Sequence, residues 1–298
     1  MLTRAVEKRL RKSPQKGVVS TVCKLLGVSR FYYYKLRDKE LIKKANRDLI
    51  LNLIIREKAI LKESGGKKLY YLLKGEIKSL GIKMGRDKFL NLLRNNGLLV
   101  SRKKYKQPKT DSNHPFRKHR NLIKDLEIRR PDQVWVSDIT YIRVGQDWNY
   151  LTLITDLFSR RIMGYSFSTG MGVSQTTDKA IKMAMKNKTN DGQTILHSDR
   201  GIQYCNPGFV KENKKNKIIP SMTENSDPYE NAVAERLNGI LKYEFHLRYR
   251  FKSNQVASKE IQKAIKVYNS YRPHWSLELK TPNYVYANST EIIENSVS

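Results

Sequence analysis

An α/β core preceded by two small helical domains is the architecture this sequence predicts. Three observations carry it. Apolar residues recur at helical spacing up to about residue 100, and from Pro131 the pattern changes to strand-like alternation. Three strand-like stretches then follow one another before helix and strand take turns. The charge is lopsided: residues 1–130 hold 36 basic and 11 acidic side chains, whereas residues 131–298 hold 22 and 17.

The whole chain carries 58 Lys+Arg against 28 Asp+Glu, a formal net charge of +30. That imbalance points to a polyanion partner. Its concentration in the first part assigns the grip on nucleic acid to residues 1–130 and the chemistry to the rest. A cationic membrane-surface protein is the alternative, but no basic amphipathic segment stands alone. The two cysteines, Cys23 and Cys205, are far apart and lack a CxxC pattern, which speaks against a disulfide framework or a zinc site. No apolar run reaches the length of a membrane span, and the opening Met1-Leu-Thr-Arg is not a signal-peptide apolar region. The expectation is a cytoplasmic, DNA-associated protein.

In chain order, residues 20–26 form a short helical pattern that Gly27 breaks. Ser29 is placed to cap a second helix over 30–37. Helix, glycine turn, helix is the helix-turn-helix signature, and Arg30, Tyr33, Lys35 and Arg37 suit phosphates and base edges. This is the first expected domain, 1–45. A plain helical hairpin is the competing reading. Residues 46–103 read as a second helix-turn-helix-like unit with helices over 49–61, 67–80 and 87–95. Leu69, Leu73, Phe89 and Leu93 are in its core, and Arg86 and Lys88 face DNA. Arg102, Lys103 and Lys104 lead into a basic linker, 104–130, expected to lie on DNA.

The core is expected over 131–271. Strands are read over 133–142, 148–158 and 161–168, then a helix over 174–186 capped by Ser174. A strand over 194–197, a helix opened by Asn206-Pro207 and a strand over 217–221 come next. A helix then begins near Tyr229. Its apolar stripe is Val233, Leu237, Leu241 and Phe245, and its polar stripe is Asn231, Glu235, Asn238 and Lys242. Three strands, helix, strand, helix, strand, helix is the order of an RNase H-like core. A further helix over 253–271 precedes a tail, 272–298, expected to be polar and frayed.

Three acids fall at informative places: Asp138 within the first strand, Asp199 just past the fourth, and Glu235 on the helix above. A carboxylate inside an apolar strand costs desolvation energy unless it is paired or binds a cation. Two Asp and one Glu are hard oxygen ligands, suited to Mg²⁺ or Mn²⁺. Two such ions can activate a water or 3′-hydroxyl for in-line displacement at phosphorus. Each acid alone also reads as a cap or a surface charge. Asn231 and Asn238, which flank Glu235, are read as orienting it or touching DNA, and Asn238 and Lys242 are the candidates for holding the DNA backbone beside it, with a solvated lysine the other reading of Lys242. Asp156 is the decoy, expected to be structural, and Arg272 and His274 fit either DNA or the C-terminal turn.

Trp135-Val-Ser-Asp138-Ile-Thr-Tyr-Ile142, His197-Ser-Asp199-Arg-Gly-Ile-Gln-Tyr204 and Ala234-Glu235-Arg-Leu-Asn-Gly-Ile-Leu-Lys242 closely resemble the three catalytic blocks of DDE transposases. More narrowly, they resemble the OrfB-type product of insertion-sequence family three, kin to retroviral integrases. The 35 residues between Asp199 and Glu235 match that class. Tyr268-Asn269 and Arg272-Pro-His274, with Leu277 and Pro282, are similar to its C-terminal motif. The resemblance implies an integrase-type catalytic core in which Asp138, Asp199 and Glu235 are catalytic metal ligands for two Mg²⁺ ions, with Mn²⁺ as substitute. It implies action on double-stranded DNA, the element's inverted repeats and a target, by cleavage that frees a 3′-hydroxyl and then strand transfer. It also implies a homodimer or higher oligomer on DNA, an upstream reading-frame product as fusion or partner, and a bacterial, nucleoid-associated setting. One departure is Glu230-Asn231 where the family commonly has Asp-Asn.

Two other functions compete. His197-Ser-Asp-Arg200 has the His-x-x-Arg spacing with which tyrosine recombinases hold phosphate, but that class needs a helical catalytic domain. A non-enzymatic regulator using residues 1–103 alone leaves Asp138 without a purpose.

Overall fold

The alternation that begins at Gln133 becomes a five-stranded mixed sheet in a computed structural model, which describes residues 17–100, 115–224 and 231–289. β1 (Val134–Val144), β2 (Asp147–Asp156) and β3 (Ile162–Ser168) form the antiparallel meander, and β4 (Thr194–Ser198) and β5 (Ile218–Met222) run parallel to β1. The order β3-β2-β1-β4-β5 is the expected RNase H-like arrangement. Gly145, at φ 56°, makes the two-residue turn between β1 and β2, where a side chain would be strained.

One face of the sheet carries Trp135, Ile154 and Met163, which pack on Ala180, Ile181 and Ala184 of α5 (Thr177–Asn187). Gly164 permits the close approach: a Cβ there would lie 2.1 Å from the Ala180 carbonyl oxygen. α5 starts at Thr177, not at Ser174, because residues 172–176 are taken up by a turn in which Thr176 N donates to Gly172 O. After β4 come a short helix that the sequence reading missed, α6 (Ile202–Cys205), and α7 (Pro207–Lys215). Asn206 caps α7 by accepting from Phe209 N. α8 (Ala232–Glu244) and α9 (Asn254–Ser270, capped by Ser253) complete the core.

Two expectations about the ends of this unit are corrected. The supposed tail folds: a 3₁₀ turn (Trp275–Leu277) leads to α10 (Pro282–Ala287), whose Tyr286 enters the core and donates its hydroxyl to Asp132 at 2.7 Å. Tyr286 and Val285 supply the apolar face that a reading of net polarity overlooked. Within residues 115–130, expected to be linker, His119 to Leu122 lie against the end of β5. Leu122 N donates to Ser221 Oγ, Met222 N donates to Arg120 O, and Phe116 packs on the core.

Among the described residues, a second compact unit comprises 17–59 and 65–99, while 60–64 group with the sheet unit. α1 (Val18–Leu25), Gly27 at φ 63° and α2 form the expected helix–turn–helix, with Ser29 Oγ accepting from Tyr32 N at 3.0 Å. The expected break after Arg37 does not occur. α2 is one helix from Arg30 to Ile60, so the boundary placed at 45/46 falls inside it. The intervening residues 38–48 contain no Gly or Pro, and their three lysines with Glu40, Leu41, Ala45 and Arg47 are good helix formers that let the helix continue. α3 (Gly66–Ser79) and α4 (Arg86–Asn95) then pack Leu69, Leu73, Phe89 and Leu93 on Ile50 and Ile54.

Candidate active site

β1 and β4 set the first two acids side by side. They pair in parallel from Val134–Ile195 to Ser137–Ser198, and the chain then leaves the sheet, so Asp199 emerges next to Asp138. Asp138 Oδ1 accepts from Ile139 N at 2.8 Å and Oδ2 from Asn238 Nδ2 at 2.7 Å. Burial pushes the Asp138 carboxyl up to about 7, and the charges of Asp199 and Glu235 push the same way against its two hydrogen bonds. Asp199 is fixed by the tight turn after it, where its Oδ1 accepts from Gly201 N at 3.1 Å.

Glu235 is exposed on the first turn of α8, where an acid also suits the helix dipole. The rest of its stripe faces inward, so of the two readings of Asn231 and Asn238 the contacts follow the orienting one, toward β1 and Asp138 and not toward DNA. Asn231 Nδ2 reaches Ser137 O at 3.5 Å, and Asn238 holds Asp138. Lys242 is only 8% exposed; burial lowers its pKa, and the charge of Asp138 opposes that. A polar helix face normally points to water; here a buried carboxylate across the gap gives it partners. The correction is that Asn238 and Lys242 support Asp138 from within.

The sequence reading missed Tyr204. Its fully buried hydroxyl lies 2.8 Å from Ser137 Oγ, which donates to Leu153 O. Burial, then the charges of Asp199 and Asp138, push this phenol far above its usual range. It forms the floor under both aspartates. The available signal was a tyrosine five residues past Asp199.

Other expected positions resolve as follows. Asp156 is structural: it accepts from Asp132 N, Ser159 N and Ser159 Oγ at 2.6–2.8 Å, and burial raises it to about 6. His197 is fully buried, with Nδ1 2.9 Å from Ser221 Oγ, and Arg200 donates to the carbonyls of Thr223 and Glu224. The His-x-x-Arg pair therefore does not make a phosphate clamp. Arg272 forms a bidentate pair with Glu244, both contacts at 2.6 Å, and donates to His274 Nε2 at 2.9 Å, so both residues brace the C-terminal turn. In the helical unit Arg30, Lys35, Arg37, Arg86 and Lys88 are exposed. Tyr33 is 3% exposed and packs with Cys23, so it is core and not a base contact. Arg102, Lys103, Lys104 and Glu230 lie outside the described residues.

Among the described residues no three acidic, His or Cys side chains gather closely enough to hold one ion. The donor chemistry nonetheless fits a hard divalent cation. Burial first, and then the neighbouring carboxylates, raise the Asp138 carboxyl, and a divalent cation between them would favour its charged form.

An "Integrase core domain" family model matches residues 128–228, and a second model of that description matches 216–282. Together they span all three acids. A 31 kDa protein of insertion element IS600 of Shigella sonnei is 32% identical over 85% of this chain and 93% of its own length. Transposase InsF of insertion sequence IS3A of Escherichia coli is 26% identical over 89% and 92%. Among solved structures, the HTLV-2 integrase catalytic core domain with magnesium aligns with 56% of this chain and 99% of its own, at 20% identity and TM-score 0.43. A simian T-cell lymphotropic virus intasome in complex with PP2A regulatory subunit B56 gamma aligns over 74% of each chain, at 16% identity and TM-score 0.46.

Proposed function

Because the chain belongs to the insertion-sequence transposases of the IS3 family, built on an integrase core, we propose that it is a DDE transposase. It cuts DNA at the ends of its own element and joins the freed 3′-hydroxyl to a target. The observation that carries this is the Asp138 carboxylate. It is half-buried within β1, beside Asp199, and held by Asn238 from the helix that bears Glu235. No fold requirement explains a carboxylate there.

Asp138, Asp199 and Glu235 are the residues that would hold two Mg²⁺ ions, or Mn²⁺ in their place. Bound divalent ions supply a polarised water or 3′-hydroxyl and neutralise charge gathering on the phosphorus oxygens. The chain's own part is positioning. Asn238 and Ile139 N orient Asp138, the Gly201 turn orients Asp199, and the Ser137–Tyr204 pair closes the site from below. The partners are double-stranded DNA, first the inverted repeats and then the target. Joining two ends requires at least a dimer on DNA. An upstream reading-frame product, as fusion or partner, belongs to the same proposal.

The test is the chemistry of the product. Incubated with a duplex carrying the element's inverted repeat and Mg²⁺, the full chain is expected to leave a free 3′-hydroxyl and no protein bound covalently to DNA. Cleavage that persists in EDTA, or a phosphotyrosyl adduct, would overturn the proposal.

A further inference from the structure

The loop between α8 and α9 alternates cation and ring: Arg248, Tyr249, Arg250, Phe251, Lys252. No acidic residue occurs from Phe245 to Lys259. The backbone of this loop is anchored on β1. Phe251 N donates to Arg143 O, and Gly145 N donates to Phe251 O, each at 2.9 Å. On the same edge of β1, β4 ends at the Ser137–Ser198 pair. Among the described residues, β1 from Asp138 to Ile142 therefore runs between two walls, Asp199 at one end and the 248–252 loop at the other. Asp138 and Arg143 are five residue steps apart, ~17 Å at strand rise, about the length of five stacked nucleotides.

Two rings stand at the second wall. Tyr249 is 51% exposed, and Trp148, paired with Arg143 across the hairpin, is 49% exposed. Each is steadied by a cation: Arg143 lies over Trp148 at 5.5 Å, and Arg248 lies over Tyr249 at 4.9 Å and donates to its hydroxyl at 2.8 Å. Arg250 and Lys252 are exposed beside them. Next to Trp148 is an open hollow of about 530 Å³ lined in part by Asp147, Tyr150, Thr169 and Asn254. The Asp147 carboxylate disfavours a phosphate in that hollow and leaves it to a base.

Exposed rings interleaved with cations are the features by which proteins hold unpaired strands: every base has a face to stack, and the cations track the backbone. A fully paired duplex covers those faces and would use the cations alone. We infer that this loop and the β1–β2 hairpin end form a second DNA-binding surface, which holds an unpaired strand leaving the catalytic notch. Its bases stack on Tyr249 and Trp148, and its phosphates lie on Arg250 and Lys252. The inference rests on the transposase reading of the notch.

The test is binding by the full chain in EDTA to a blunt duplex and to the same duplex with an unpaired tail. Wild type is expected to favour the tailed duplex. Tyr249→Ala and Trp148→Ala are each expected to weaken binding to the tailed duplex about 5- to 150-fold and leave the blunt duplex unchanged. Tyr249→Phe keeps the stacking face and is expected to retain affinity. Replacing Arg250 and Lys252 by Gln lowers the salt dependence of tailed-duplex binding by roughly 0.7 per contact. Equal loss on both duplexes, or loss on neither, overturns the inference. If Trp148→Ala does not fold, the exposed Tyr249 decides alone. Cleavage of the inverted-repeat duplex by wild type in Mg²⁺ is scored separately. Its absence would overturn the transposase reading and leave the binding result standing, and its presence with unaltered Tyr249→Ala binding would do the reverse.

Discussion

Asp138 lowers the stability of the metal-free fold. Its folded pKa, about 7, lies above the unfolded value of about 3.9, so the native state holds the proton over that window. Stability must then fall as pH rises from about 4 to about 7 and level off above it, by a few kcal/mol at most, ~1–4. Asp138→Asn is expected to make the EDTA-treated protein more stable at neutral pH and to remove most of that slope, as urea midpoints across pH will show. A smaller slope stays, because Asp156 is also raised, to about 6. A midpoint in Asp138→Asn that falls with pH as steeply as wild type would contradict the assignment of the buried charge. The three acids stand out in the sequence by their joint placement in an apolar strand, at a strand end and on a helix, although each alone also reads as a cap or a surface charge. Asn238, Lys242 and Tyr204 could not be placed. Whether a polar residue on a helix points to water or to a buried charge depends on Asp138, 100 residues away from Asn238 in the chain.

α8 is held at both ends, by Asn231 and Asn238 on β1 and by Glu244 on Arg272. Arg272 is 3% exposed, and Arg272→Ala removes its two parallel bonds to Glu244 and its bond to His274 in a largely closed setting. A loss of about 3 kcal/mol is expected, read as a lowered thermal midpoint, with Arg272→Lys recovering only part because it cannot pair through two parallel bonds. On the other face, Gly164→Ala forces α5 off the sheet, since the new methyl meets backbone atoms of Ala180 and Ala184. A cost of about 1–3 kcal/mol is expected from denaturant unfolding. Strands and their order were legible because alternation and turn residues mark them directly. The C-terminal segment was not, because its fold depends on a few side chains: Tyr286 on Asp132 and Arg272 on Glu244. The length of α2 was missed for a different reason. A glycine-free charged stretch was taken as the gap between two domains, when nothing in it stops a helix.

At the scale of the molecule, the chain forms two compact units. The helical unit presents Arg30, Lys35 and Arg37 on the exposed side of α2. If these lie on phosphates, replacing all three by Gln lowers the slope of log affinity against log salt by roughly 2–3 on duplex DNA. An unchanged slope would remove α2 from the DNA interface. Two units were legible in the change from helical spacing to strand alternation, but the charge step at 130 did not mark their boundary, because residues 115–130 go with the sheet. The central claim is that Asp138, Asp199 and Glu235, brought together from β1, the end of β4 and α8, form one catalytic site on DNA. Single-turnover cleavage of inverted-repeat DNA in Mg²⁺, with end binding followed in the same samples, tests it most directly. Asp138→Asn, Asp199→Asn and Glu235→Gln are each expected to lose cleavage by about 10³-fold or more while binding the ends as wild type does. Cleavage near the wild-type rate in any one of the three would contradict the claim.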